Sequence, residues 1–185
     1  AFRAGINPRS DESRQWFRTK LQNMRRISRG DLMKSDELKL VNKSQPLIGS
    51  MNMFFYDAKH KETLPYFDRF PLSIIVKGAP GGFIGLNLHY LPPVLRAKML
   101  DGLMETVNNK RYDETTKFQI TYNLLQATAR LKFYKPCLKR YLFSQVKSRL
   151  ARVEAPEWEI ATFLPTADWS GSSSNKVYQD SRKII

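Results

Sequence analysis

The chain has 185 residues, and its 31 Lys and Arg against 17 Asp and Glu give a formal net charge of +14 and a pI near 10.0. Because 42% of the residues are hydrophobic, the composition excludes a disordered chain and predicts a folded core. The charge predicts attraction to nucleic acid, anionic lipid or an acidic protein, without choosing among them.

The sequence also shows no signal peptide, no membrane span and no pair of cysteines for a disulfide. The N-terminal stretch AFRAGINPRSDESRQW has no apolar run of signal-peptide length, and no window approaches the ~18–20 apolar residues of a membrane span. The single cysteine, Cys137, excludes an intrachain disulfide framework and a cysteine-based structural zinc site. Because no segment is long and apolar enough to span a membrane, we expect no membrane partner.

The N-terminal part of the chain combines an arm with an amphipathic helix. Residues 1–9 contain Gly and Pro and predict an extended arm, and apolar residues at helical spacing predict a helix near 11–28. The remaining positions of this helix are cationic and include Arg14, Arg18, Arg25 and Arg26. These side chains are either a solvated helix face or part of a surface for an anionic partner.

From Gly49 onward the pattern becomes typical of β-structure. Segments 51–57 and 74–78 are rich in β-branched and aromatic residues, and 83–90 alternates in polarity. Residues 57–62 predict a hairpin loop and 78–82 a turn. Together these segments predict three or four short antiparallel strands, most simply a small curled sheet or an SH3-like barrel in an α+β fold.

The second half of the chain predicts several helices around this sheet. Pro93 suits the first turn of a helix running to about Val107, a second helix is expected at 115–129, and a third is expected to start at Pro136 and to carry Leu138, Tyr141 and Leu142. A short strand near 146–153 and a helix at 157–164 follow. The Ser- and Gly-rich composition after residue 169 predicts a mobile tail at 170–185, which leaves 10–169 as a single domain.

The segment RLKFYKPCLKRYLFSQVKSRLAR, residues 130–152, has the most lopsided charge in the chain. Between Thr115 and Val153 there are nine Lys or Arg and no acid, whereas an ordinary soluble surface mixes both signs. The candidate binding residues of this segment are Arg130, Lys132, Lys135, Lys139, Arg140, Lys147, Arg149 and Arg152. Interleaved Phe133 and Tyr134 could stack on frayed bases, although core packing is the simpler role.

Sites for catalysis are sparse. His60 and His89 lie in unrelated contexts, without the spacing of a metal site, and the glycine-rich 78–85 lacks the Lys and Ser/Thr of a phosphate-binding loop. A nucleophilic set of Cys137, His89 and Asp68 is disfavoured, because a lone cysteine next to a proline on an apolar segment is typical of a core. We expect His89 to be a structural histidine, and we expect no enzyme activity, no cofactor, no metal and no small-molecule substrate.

A polar network within the sheet region is a further expectation. Asp57, Tyr66, Asp68 and Arg69 could lock the sheet together from within the core, a structural role that would account for them without any chemistry.

Several blocks of sequence resemble one family. They are SRQWFRTKLQNM, GSMNMFFYDAKHKETLPYFDRFPL, GGFIGLNLHYLPPVLRAKMLDGL, KFYKPCLKRYLFSQVKSR, EWEIATFLPT and DSRKII. They are similar to a small virion protein of T-even-like tailed bacteriophages, and the resemblance covers most of residues 13–185. Members of this family are described as DNA end protectors or as structural proteins.

The resemblance implies a non-enzymatic protein of the virion, present in the host cytoplasm during assembly. It implies a position at the portal and neck, where the protein would bind the end of the packaged double-stranded DNA and shield it from exonuclease. The alternative is an architectural neck, tail or baseplate subunit, whose basic surface and terminal arms bind neighbouring virion proteins. No catalytic residues are implied by the resemblance.

Overall fold

The computed structural model describes residues 39–40, 47–106, 133–153 and 158–185. The predicted arm at 1–9 and the predicted helices at 11–28 and 115–129 lie outside these ranges. Within them, no helix combines the length and the apolar character needed to cross a bilayer.

The described ranges contain strands and helices in mixed order. The strands are β1 Lys39–Leu40, β2 Met51–Met53, β3 Phe67–Asp68, β4 Leu72–Ala79, β5 Gly82–Asn87, β6 Leu138–Leu142, β7 Ala151–Val153 and β8 Trp169–Ser170. The α-helices are α1 Pro93–Thr106, α2 Tyr134–Cys137, α3 Trp158–Phe163 and α4 Ser174–Ile184. Two 3-10 turns occupy Leu88–Tyr90 and Phe143–Gln145.

Six of these strands form one antiparallel sheet with the order β1-β7-β2-β4-β5-β6. The 3-10 turn at Phe143–Gln145 carries the chain from β6 at one side to β7 at the other, and Tyr56 pairs with Val146 on the way. From β2 to β7, this is the strand order of an SH3-like barrel. The prediction of an α+β fold with a small curled antiparallel sheet is confirmed.

A two-residue turn joins the buried strands β4 and β5, and glycines allow it to form. Pro80 and Gly81 form the turn between paired Ala79 and Gly82, and Gly81 has a φ of 69°, a left-handed conformation that glycine adopts without strain. Gly82 meets the neighbouring strand so closely that a Cβ atom would overlap the Tyr141 carbonyl oxygen. The turn predicted at 78–82 is confirmed.

Both faces of the sheet are apolar, and successive side chains of β5 point to opposite faces. The inner face carries the cluster of Phe54, Phe83 and Tyr141, with Phe54 packed edge-on against both other rings at centroid distances of 5.8 and 5.2 Å. The outer face carries Ile84 and Leu86 and is covered by helices, so the main core lies between this face and α1, α3 and α4.

A buried arginine ties these helices together. Arg96 of α1 donates through Nε to the Leu91 carbonyl at 2.6 Å and through its two terminal nitrogens to the Thr162 carbonyl at 2.9 Å and the Tyr178 hydroxyl at 3.0 Å. Burial lowers its pKa. Because the guanidinium is 2% exposed, these three acceptors replace the water that it loses on folding.

The predicted helix beginning at Pro136 is wrong. Pro136 lies inside the single turn α2, and the following residues Leu138–Leu142 form β6, paired with β5 from Gly82↔Leu142 to Leu86↔Leu138. Apolar residues at 138, 141 and 142 fit either a helix or a strand, and the choice depends on β5, which lies far away in the sequence.

The mobile tail predicted at 170–185 is also corrected. Ser173 caps α4 by accepting a hydrogen bond from the Lys176 amide, and Val177 and Ser181 of this helix are buried. Val177 belongs to the main core. The Ser- and Gly-rich residues form the turn and the N-terminal cap that precede this helix.

The predictions for the other elements are confirmed in part. The helices α1 and α3 and the strands β4 and β5 lie close to their predicted positions, whereas β2 ends at Met53 and β7 begins only at Ala151. The loop predicted at 57–62 belongs to a longer connection, residues 54–71, that contains β3. Strand β3 pairs with β8 in a separate two-stranded ribbon.

Candidate nucleic-acid interface

The candidate binding residues divide into two groups. Those outside the described ranges are Arg14, Arg18, Arg25, Arg26, Arg130 and Lys132. The structure places the other six between α2 and β7, a stretch of described chain, 133–153, that contains no acid.

Four of these six side chains are exposed. They are Lys135 on α2, Arg140 on β6, and Lys147 and Arg149 on the segment that leads to β7. Lys147 and Arg149 alternate with Val146 and Leu150, which pack against the inner cluster, so the two cations point outward. The other two candidate binding residues, Lys139 and Arg152, are partly buried.

A groove of about 710 Å³ runs along β6. One wall is the loop after β2, which contributes Lys59, His60, Leu64 and Tyr66, and the other wall is β6 with Lys139 and Arg140. Both faces of β6 contribute to the lining, because β6 is the last strand of the sheet and the groove follows its outer edge. Four of these six residues are basic, and they approach the groove from two walls.

Lys139 has an unusual position within this groove. Its Nζ atom lies 4.0 Å from the centre of the Tyr90 ring, a cation–π contact. Burial lowers the pKa of this ammonium group. Within the described residues, no hydrogen bond and no ion pair reaches Lys139 Nζ. The ammonium therefore faces the groove without an anionic partner.

A buried carboxylate lies behind the loop wall of the groove. Asp68 accepts hydrogen bonds from the backbone amides of Phe70 and Asp168 at 3.0 and 3.1 Å, from Asn87 Nδ2 at 3.0 Å and from His89 Nδ1 at 2.6 Å. Burial alone would raise the pKa of Asp68, but the charge of His89 and these hydrogen bonds outweigh it, and the net pKa is lowered. We interpret this network as the clamp that joins the β3–β8 ribbon to the end of β5.

The same network defines the role of His89. Its other ring nitrogen, Nε2, lies 3.2 Å from Thr166 Oγ1, and the imidazole is fully buried. The prediction of a structural histidine is confirmed. The predicted network of four polar residues is correct only for Asp68, because Asp57 pairs with Lys61, Arg69 with Asp168 and Tyr66 with Asp180, all nearer the surface.

Cys137 is not placed for chemistry. Its side chain is fully buried in the main core, its thiol contacts the Phe133 carbonyl, and burial raises its pKa to about 12. A thiol that stays protonated is a poor nucleophile. The prediction that Cys137 belongs to the core is confirmed. In the described ranges, no group of three or more His, Cys, Asp or Glu could hold a metal ion.

Sequence reasoning missed the loop wall of the groove. Lys59, His60, Tyr66 and Tyr90 were not among the candidate residues, because they lie far in sequence from β6 and their local pattern is that of an ordinary loop. The aromatic residues Tyr66, Tyr90 and Trp169 form one cluster, with ring centroids 4.9 to 6.2 Å apart. The available signal was the group of basic residues 59–61 between the aromatic residues Tyr56 and Tyr66.

The fold and the groove place the chain among small α+β proteins with an SH3-like sheet. Its groove is lined by basic and aromatic residues and follows the edge strand β6. A protein-family model described as phage T4 terminal DNA protecting protein matches residues 5–184, and the chain therefore belongs to this family. The resemblance to a T-even-like phage family is confirmed. No curated protein and no solved structure matches the chain significantly.

Proposed function

We propose that this protein binds the end of the packaged double-stranded DNA at the portal and neck of the virion and shields it from exonuclease without catalysing a reaction. The family is that of a terminal DNA protecting protein, which supports a role at a DNA end. One observation in the structure carries the proposal. The described stretch 133–153 displays four exposed cations and no acid. This stretch therefore attracts the phosphates of DNA, and none of its own side chains repels them.

Phosphate contacts make two properties of the complex measurable. Each contact releases counterions from the DNA, so the logarithm of the affinity falls with the logarithm of the salt concentration by about 0.9 per phosphate. Such contacts are independent of base sequence. We expect steep salt dependence and little preference for sequence.

Substitutions that replace cations with neutral residues test whether this surface binds phosphates. Lys147→Gln combined with Arg149→Gln removes two outward-pointing cations, and we expect the salt slope to decrease by about 2. The matched control is Lys98→Gln with Lys176→Gln, which removes the same charge from α1 and α4. If both double variants weaken binding equally, only the net charge matters and this surface has no special role.

Protection of ends is tested separately from binding. Linear duplex DNA is incubated with the protein and then with a processive exonuclease, and closed circular DNA is added as competitor. We expect protection to persist in excess circular DNA. Loss of protection at circular DNA concentrations that match the linear DNA would mean general coating, and would contradict a role at the end.

The architectural alternative differs in stoichiometry. An end-binding protein needs about one or two copies in each virion, whereas a ring subunit of the neck, tail or baseplate needs about six or twelve. Quantitative mass spectrometry of purified particles distinguishes these values. A ring-like copy number together with weak DNA binding at low salt would favour the architectural role.

A further inference from the structure

The groove along β6 contains an ammonium group that no counter-charge among the described residues contacts. Lys139 Nζ packs on the face of Tyr90 at 4.0 Å, and within the described chain no carboxylate, carbonyl or hydroxyl accepts a hydrogen bond from it. Partly buried charges in proteins are normally paired, because the loss of water around them is costly. An anion that enters the groove would supply the missing partner.

The other charges of the groove favour an anion as well. Arg140 follows Lys139 on β6, where it donates a hydrogen bond to the Pro80 carbonyl at 3.0 Å, and Lys59 and His60 lie on the opposite wall. Among the described residues that line the groove, Asp68 is the only acid, and its carboxylate is 1% exposed and already accepts four hydrogen bonds. It therefore presents little negative charge to a ligand in the groove.

The last turn of α4 reaches the same groove through Ser181 and Ile184. The C-terminal end of a helix repels anions, but Arg182 and Lys183 lie in that turn and offset the effect. Because Lys176 and Lys183 both pair with Asp180, which accepts a hydrogen bond from Tyr66, the positive charge of the groove comes from β6 and the loop wall.

Size and shape narrow the class of anion. A volume of about 710 Å³ lies within the range of small-ligand sites, about 300–1,000 Å³. The groove is too small to hold a DNA duplex, because the major groove of a duplex is by itself about 12 Å wide. It suits one or two nucleotides of a single strand. Tyr66 is partly exposed on the loop wall and offers an aromatic ring on which a base can stack.

We propose that this groove binds the terminal nucleotide of one DNA strand, with the terminal phosphate at Lys139 and the terminal base against Tyr66. This inference rests on the proposed function and specifies which feature of the DNA end is bound. A terminal phosphate monoester carries a charge of about −1.5 to −2 at neutral pH, more than an internal diester. The groove therefore favours a phosphorylated end over a hydroxyl end.

Three DNAs of equal length and sequence test this preference with the full chain. They are a blunt duplex with 5′-phosphates, the same duplex with 5′-hydroxyls, and a duplex closed by hairpins at both ends. We expect the phosphorylated duplex to bind at least about tenfold more tightly than the hairpin-closed one, as one charge-assisted contact would produce. Equal affinities for all three DNAs would overturn the assignment of the groove.

Paired variants locate the effect. Lys139→Met keeps the apolar stem over Tyr90 and removes the charge, and we expect it to abolish the preference for the phosphorylated end. Lys147→Met is the matched control outside the groove, and we expect it to weaken binding of all three DNAs equally. If Lys139→Met retains the preference of the unsubstituted protein, the phosphate does not bind at Lys139.

A second pair does not alter a buried side chain. Leu64 is 43% exposed at the groove and Val94 is 64% exposed on α1, so either can be changed to Glu without opening the core. We expect Leu64→Glu to reduce affinity for the phosphorylated end at least about fivefold and Val94→Glu to leave it unchanged. Equal effects of the two changes would contradict a nucleotide site in the groove.

Failure of this inference differs from failure of the proposed function. If the unsubstituted protein binds none of the three DNAs, the proposed function is wrong. If it protects open ends but the groove variants behave like their controls, only the groove assignment is wrong. Tighter binding of an acidic peptide than of a phosphorylated single strand, in competition, would identify a protein as the occupant and overturn the inference.

Discussion

The four-donor environment of Asp68 leads to a quantitative prediction for Asp68→Asn. The amide keeps one acceptor oxygen but replaces the other with an NH2 group, which faces donors such as Asn87 Nδ2 and His89 Nδ1. Removing one partner of a buried ion pair costs about 3–5 kcal/mol, because the remaining polar groups lose their acceptor. For a chain of this length, each kcal/mol lowers Tm by about 2–4 °C, so we expect a decrease of about 6–20 °C.

The matched control is Asp168→Asn, the same chemical change in the same part of the fold. Asp168 pairs with Arg69 at 2.7 Å, but the two side chains are 26% and 53% exposed, so solvent screens the pair and its loss costs at most about 1 kcal/mol. Urea unfolding followed by tryptophan fluorescence measures both variants. A difference between them of less than about 1 kcal/mol would refute the reasoning from burial and hydrogen-bond number.

The pH dependence of the same experiment identifies the ionised form. The pKa of Asp68 is lower in the folded protein than in the unfolded chain, so its contribution to stability is present above the unfolded pKa and is lost as the pH falls through the folded pKa. The loss should begin near pH 4, the ordinary range of an aspartate. We expect Asp68→Asn to lack this component, and an identical acid profile in the unsubstituted protein and the variant would contradict an ionised Asp68.

Two other predictions concern packing and reactivity. Gly82→Ala should lower the free energy of unfolding by about 1–3 kcal/mol because its Cβ overlaps the Tyr141 carbonyl oxygen, whereas Gly78→Ala, with no atom within 4 Å of its Cβ, should change it by less than about 0.5 kcal/mol; equal urea midpoints for the two variants would count against this close approach. Cys137, whose thiol pKa is raised to about 12, should not react with an aromatic disulfide reagent at pH 8 until denaturant unfolds the protein, and rapid labelling of the folded protein would show that the thiol is accessible.

The sequence was informative where local patterns agree with the final structure. The alternation at 83–90 predicted β5, although 88–90 form a 3-10 turn, Pro93 predicted the start of α1, and the Pro80-Gly81 turn followed from composition. These features depend on a few neighbouring residues. They therefore needed no information about distant contacts.

Where the outcome depends on a distant partner, the sequence was misleading or silent. Residues 138–142 fit a helix or a strand, and pairing with β5 decides for β6. The helix α4 was missed because Ser and Gly suggested a tail, although the Ser173 cap and the Lys176–Asp180 pair are local helix signals. The groove was missed because its two walls come from loop 57–66 and β6, which the fold alone brings together.

The separation of β5 from β6 in sequence has a consequence for the order of folding. Residues 88–137 intervene between these neighbouring strands, whereas β4 and β5 are joined by a two-residue turn. Loop closure favours short connections, so the β4–β5 hairpin can form early, and β6 can add to it only after a long segment has been brought back. We therefore expect β6, which carries Lys139 and Arg140, to join the sheet after the β4–β5 hairpin, so that the groove is complete only late in folding.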